Sequence, residues 1–99
     1  MNIEQIETET EITFLLTDNL ISHNANFLAD AFTLFVKQDA RDAIIDLTYV
    51  KKINSMSIAA LIRLKNMLAD KGRKMHLINP NETVFGMLEL SGLDKFLLE

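Results

Sequence analysis

The chain has no cysteine, which excludes disulfides, thiolate catalysis and zinc–thiolate sites together. Three glycines and one proline leave no Gly/Ser linker, and there is no internal repeat or low-complexity segment. No apolar run reaches membrane-spanning length. The opening residues, MNIEQIETETEI, are acidic and are not a secretory signal, so a cytoplasmic location without membrane insertion is the expectation. A basic surplus is also missing. The net charge is −4, which argues against nucleic-acid binding as the main activity. The local basic clusters, Lys51-Lys52 and Lys71, Arg73 and Lys74, read as solvated turns. His23 and His76 stand alone without the converging ligands that a metal needs. No Walker loop, dinucleotide fingerprint or nucleophile elbow is present. Asp46 has no identifiable catalytic partner and reads as a strand end that satisfies loop N–H groups. The expectation is a protein that is not an enzyme, with no catalytic residue, no metal and no cofactor of its own.

What is present fits one globular domain over residues 1–99: 48% of residues are hydrophobic and 24% charged, ordinary values for a soluble fold. Ile3 and Ile6 begin a first strand, and Glu11–Thr17 is a second, rich in β-branched and aromatic residues. Glu7 to Thr10 turns between them, without the usual Gly, Pro or Asn. Ser22–Lys37 reads as a helix with Ser22 or Asn24 as cap. Its apolar stripe is Phe27, Leu28, Ala31, Leu34 and Phe35, widened by Phe32 and Val36. Ala43–Leu47 is a short, buried central strand. Ser55–Lys71 is a second helix, ended by Gly72. Lys74–Ile78 is the last strand. Asn79-Pro80-Asn81 turns, and Pro80 or Asn81 opens a helix over Glu82–Leu90, ended by Ser91-Gly92. Gly86 inside that helix implies close helix packing. The order β-β-α-β-α-β-α predicts an α/β domain, a mixed sheet with helices packed mainly on one face.

The segment Ile44 to Leu61, IIDLTYVKKINSMSIAAL, is the most informative. An apolar strand passes through a polar joint into Ser55 at a helix start. As an N-cap or first-turn residue, Ser55 contributes about 1 kcal/mol of helix stability. As a phosphoacceptor it sits where the helix dipole favours an anion. Asn54 suits a cap or a turn. Ser57 is a second hydroxyl, whose helical spacing places it near Leu61 and Leu64 with partial burial. Ile58, Leu61, Leu64 and Leu68 face the core. Met56, Ala60, Arg63 and Met67 form a neighbouring line, either an adaptable partner surface or a widened core stripe.

These residues resemble the STAS domain of bacterial anti-sigma factor antagonists. That family typically reads "DLS-x-V-x-x-hydrophobic-D-S-x-G", where this chain runs from Asp46-Leu47-Thr48 through Val50 to Ile53-Asn54-Ser55-Met56-Ser57. Asp70-Lys71-Gly72 before the strand Met75 to Ile78 is a second landmark. Val84 to Phe96, VFGMLELSGLDKF, is similar to the family ending "V-x-x-x-L-E-L-T-G-L-D-K-x-F" and covers the longest match. Three departures stand out: Asn54 for the family aspartate, Ser57 for its glycine, and Asp18-Asn19-Leu20 where members carry Gly-x-Leu. The resemblance implies a regulatory interaction module for transcription. Its partner would be a serine kinase that doubles as the anti-sigma factor, a histidine-kinase-like ATPase supplying its own ATP and magnesium. Phosphorylation of Ser55 would switch binding, and a cognate phosphatase would reset it. Partner contacts would centre on Asn54, Ser55, Met56, Ser57, Ala60, Arg63 and Met67. The alternative within the family is a constitutive, unphosphorylated subunit of a bacterial ABC lipid transporter, which the altered Asn54 and Ser57 favour.

Overall fold

The structure is a computed structural model that describes residues 3–21 and 23–98. Strands β1 (Ile3–Glu7), β2 (Glu11–Leu16), β3 (Asp42–Asp46) and β4 (Met75–Ile78) form one sheet in the order β1-β2-β3-β4. β1 pairs antiparallel with β2, whereas β2–β3 and β3–β4 are parallel. The mixed sheet expected from the sequence is therefore present, and β3 is an inner strand. Thr8 makes the hairpin turn that glycine or asparagine usually supports. Its hydroxyl accepts from the N–H groups of Thr10 and Glu11, and its own N–H donates to the Glu11 carbonyl.

Helices α1 (Asn24–Gln38), α2 (Ser55–Ala69), α3 (Glu82–Leu90) and α4 (Asp94–Leu98) cover one face of the sheet. The burial of alternate strand residues shows which face. Ile12, Phe14, Leu16, Ala43, Ile45 and Leu77 are buried against the helices, while Glu4, Ile6, His76 and Ile78 remain exposed. Ile58, Leu61, Leu64 and Leu68 of α2 are all buried, as their spacing predicts. Asn81 caps α3, its side-chain oxygen accepting from the Val84 N–H at 2.8 Å.

Several expectations are corrected. Ser22 lies outside the described residues. Asn24 is the first helical residue of α1, and His23 before it makes no side-chain cap bond. The amide of Asn24 instead donates to the Asn19 carbonyl at 2.6 Å. The buried stripe of α1 is Ala25, Leu28, Phe32, Phe35 and Val36; Phe27 and Leu34 are exposed. Phe14 decides the phase, because Phe32 and Phe35 both set their rings edge-on to it at 5.8 and 5.0 Å. α2 stops at Ala69, two residues early, where Asp70 to Gly72 turn with Gly72 at φ +70°. The last seven residues contain α4, whose Leu97 is fully buried. A Cβ placed on Gly86 would meet nothing within 4 Å, so no close helix packing explains that glycine.

Far from α2's start, two arginines tie the opposite end of the sheet together. Arg41 pairs with Asp39 at 2.6 Å and Glu7 at 3.0 Å. Arg73 donates to the carbonyls of Arg41 and Val36 and lies 5.0 Å from the Phe35 ring centre.

Candidate functional site

The loop from Leu47 to Asn54 ends where α2 begins, at the C-terminal edge of the parallel strands. Asn54 is the N-cap: its backbone is extended, and its side-chain oxygen accepts from the Ser57 N–H at 2.9 Å. The Asn54 carbonyl takes the next N–H, that of Ile58, at 3.0 Å. Ser55 is therefore the first helical residue and not the cap. It is exposed, and its hydroxyl makes no hydrogen bond within the described residues. An anion on that oxygen would sit in the first turn, where the helix dipole is favourable.

The turn after β2 holds this loop. The Asn19 side-chain oxygen accepts from the Lys51 and Lys52 N–H groups at 2.9 and 3.1 Å. Leu20 is fully buried and bridges in parallel to Ile53. Its N–H donates to the Lys52 carbonyl, and its carbonyl accepts from the Asn54 N–H, each at 2.9 Å. The same carbonyl accepts from the Ser57 hydroxyl at 3.0 Å. Asp18-Asn19-Leu20 thus supplies a side-chain clamp where the resembled pattern has glycine.

A second clamp comes from Asp46. Its carboxylate accepts from the Thr48 N–H at 3.0 Å, the Thr48 hydroxyl at 2.6 Å and the Asn79 amide at 3.3 Å. Burial alone pushes this carboxyl up, but the Thr48 and Asn79 hydrogen bonds outweigh it and hold the group below the usual carboxylate range. Asn79 reaches across from a left-handed backbone conformation, φ 58°, that asparagine tolerates. The site loop is fixed from both sides before any partner arrives.

Of the residues expected to face a partner, Ser55, Met56 and Arg63 are exposed, and Asn54 is half-buried. Met67 is half-buried and packs against the core. Two are corrected. Ser57 is fully buried with its hydroxyl committed to Leu20, so it offers no side chain to a docking surface, and Ala60, 5% exposed, offers only a methyl at the floor of a shallow hollow. Asn19 and Asn79 were not legible as site residues, because their partners lie 32 and 33 residues away in sequence. The Asp46-x-Thr48 spacing, an Asx-type turn, was the one local signal of the second clamp. His23 and His76 are exposed, and no group of three or more His, Asp or Glu residues converges among the described residues. No helix there is long and apolar enough to cross a membrane.

Comparison with solved structures places this geometry. A candidate anti-sigma factor antagonist from Thermotoga maritima superposes with a TM-score of 0.87 at 21% identity, covering 97% of this chain and 83% of that one. The anti-sigma factor antagonist SpoIIAA in its unphosphorylated form gives 0.85 at 17% identity, with 98% and 86% covered. Its phosphorylated form, from Bacillus, gives 0.76 at 16% identity, with 98% and 89% covered. The murine anion transporter Slc26a9 gives 0.76 at 18% identity; 91% of this chain matches 15% of that much longer one. At these identities the likeness is one of fold. No curated protein matches the sequence. The STAS domain profile matches residues 2–98, nearly the whole chain, and the protein therefore belongs to the STAS domain family.

Proposed function

We propose that this domain is a partner-switching module of the anti-sigma factor antagonist type, with Ser55 as the phosphoacceptor. One observation carries the reading. Asn54 does the capping, which leaves the Ser55 hydroxyl exposed at the start of α2 with no hydrogen bond among the described residues. The loop before it is held by Asn19 and Asp46, so the hydroxyl is presented on a fixed frame. A phosphate there adds a charge of about −1.5 to −2 without refolding the helix, since the dipole accepts it. Binding then changes because the partner meets charge and bulk where it met a hydroxyl. The partner is a serine kinase of the histidine-kinase-like ATPase type that doubles as the anti-sigma factor. A phosphatase resets the serine, and the cycle runs in the cytoplasm. The domain is substrate and ligand, not enzyme.

Incubation with the co-purifying kinase and ATP is expected to add a single phosphate, read by intact mass, and Ser55→Ala is expected to prevent it. Phosphate on another residue, or none, would remove the switch. The constitutive transporter-subunit reading would then take its place, favoured by the neutral Asn54 and the buried Ser57. In that case an ABC-type ATPase subunit should co-purify with the unmodified protein.

A further inference from the structure

α1 and α2 run side by side in the same direction, and a furrow follows their seam on the solvent side. At the N-terminal end it is a hollow of about 130 Å³ with Ala25 and Ala60 at its floor and Met56, Ala59 and Arg63 on its rim. One helical turn on, Ala29 gives way to Thr33 and Arg63 to Met67. There the seam opens into a second hollow of about 300 Å³, floored by Val36 and edged by Lys37 and Lys71. Small side chains keep the floor low: Ala25, Ala29, Ala59 and Ala60 leave room that larger residues would fill. The furrow starts at Met56, directly after Ser55.

Its charge is opposite to that of the molecule. The lining carries three cations, Lys37, Arg63 and Lys71, and one anion, Asp70, in a chain of net charge −4. The whole segment from Leu47 to Ala69 holds four cations and no anion. Among the described residues, none of Lys37, Arg63 and Lys71 is in an ion pair.

We infer that this furrow seats an amphipathic helix of the partner, with small apolar residues facing the seam and acidic residues on both flanks. The inference rests on reading the domain as a partner-binding module. A seam between parallel helices offers a ready third-helix position, with apolar anchors at i, i+3, i+4 and i+7. α1 spans about 22 Å at 1.5 Å per residue, enough for about four turns of a guest helix. The rim cations select acidic flanks and speed encounter. A phosphate on Ser55 stands at the mouth of the furrow and repels those same flanks. The modified residue and the docking surface thus act as one electrostatic device.

The test uses a synthetic helical peptide of about 15 residues, matching the length of α1, with Ala and Leu on one face and Glu on the flanks. Its counterpart has Lys for every Glu. Each is titrated into the ¹⁵N-labelled protein. The expected result is amide shifts centred on Ala25, Ala29, Thr33, Ala59 and Met67 with the acidic peptide. The basic peptide should bind at least about tenfold more weakly, and added salt should weaken the acidic one. The paired substitution Lys37→Glu with Arg63→Glu, both at exposed positions, should reverse the preference; its thermal melt confirms folding. Equal binding of both peptides, shifts on the open face of the sheet, or no shifts would overturn the inference. So would a dimer in sedimentation that the same substitutions abolish, since the occupant would then be a second copy. Phosphate acceptance by Ser55 is read separately by mass, so failure here leaves that reading standing.

Discussion

Replacing Asn54 by alanine removes one acceptor and little else. The Asn54 N–H still donates to the Leu20 carbonyl, and the Asn54 carbonyl still accepts from Ile58. What is lost is the 2.9 Å bond from the Ser57 N–H, at the half-buried start of a fifteen-residue helix. Loss of such a cap costs about 1 kcal/mol, within a range of about 0.5–2. In urea, with an m-value of about 1–2 kcal/mol/M for a domain of this size, the midpoint should fall by about 0.5–1 M. Asn54→Asp keeps the acceptor and adds a charge that the dipole favours, so it should recover stability and gain about 0.3–1 kcal/mol. Ser55→Ala should change stability by no more than about 0.5 kcal/mol, because the hydroxyl bonds nothing within the described residues. The reverse pattern would refute the reasoning. If Ser55→Ala cost about 1 kcal/mol and Asn54→Ala nothing, the serine would be the cap, and its availability to a kinase would lose its structural basis.

Leu61→Ala should cost about 2–5 kcal/mol in denaturant melts, since Leu61 is fully buried in the core; a change near zero would contradict the phase of α2. Gly86→Ala should stabilise by about 0.5–1 kcal/mol, because the added methyl enters open space in mid-helix and the backbone is not left-handed. Asp39 should matter near neutrality and cease to matter in acid. The Arg41 guanidinium, with the Arg41 and Ala40 N–H groups, holds its carboxyl well below the usual carboxylate range. Its stabilisation is complete above the unfolded value of about 3.9 and disappears as the pH falls through the lower folded value. Thermal melts of wild type and Asp39→Asn should therefore differ at pH 7 and converge as the pH drops below about 4; a gap that widened in acid would have the wrong sign.

Local signals carried those parts of the fold that local physics decides. In α2 the leucine spacing leaves one face to bury, and Asn81 ahead of Val84 is a cap readable from order alone. α1 was harder, since Phe27, Leu28, Phe32, Leu34, Phe35 and Val36 put apolar groups around more than half the helix. Only the sheet chooses among them, through Phe14. α4 has five residues, too few to show a period. At the site, Ser55 was visible because it sits in a recognisable order of residues. The clamps were not, because Asn19 meets Lys51 and Lys52 only after the chain has folded through α1 and β3. The spacing of Ser57 from Leu61 and Leu64 implies partial burial, while the family resemblance makes it a partner contact; the structure buries it completely. One residue of helical pitch past Met56 turns it inward, onto the Leu20 carbonyl.

The central claim is that charge at Ser55 switches partner binding while the fold stays intact. Isothermal titration of the co-purifying kinase with wild type, Ser55→Ala and Ser55→Asp tests it most directly, with a thermal melt of each to establish folding. Wild type and Ser55→Ala should bind alike, and Ser55→Asp should bind more weakly while melting like wild type. Equal affinity for all three would contradict the account and leave Ser55 a surface residue at the start of α2.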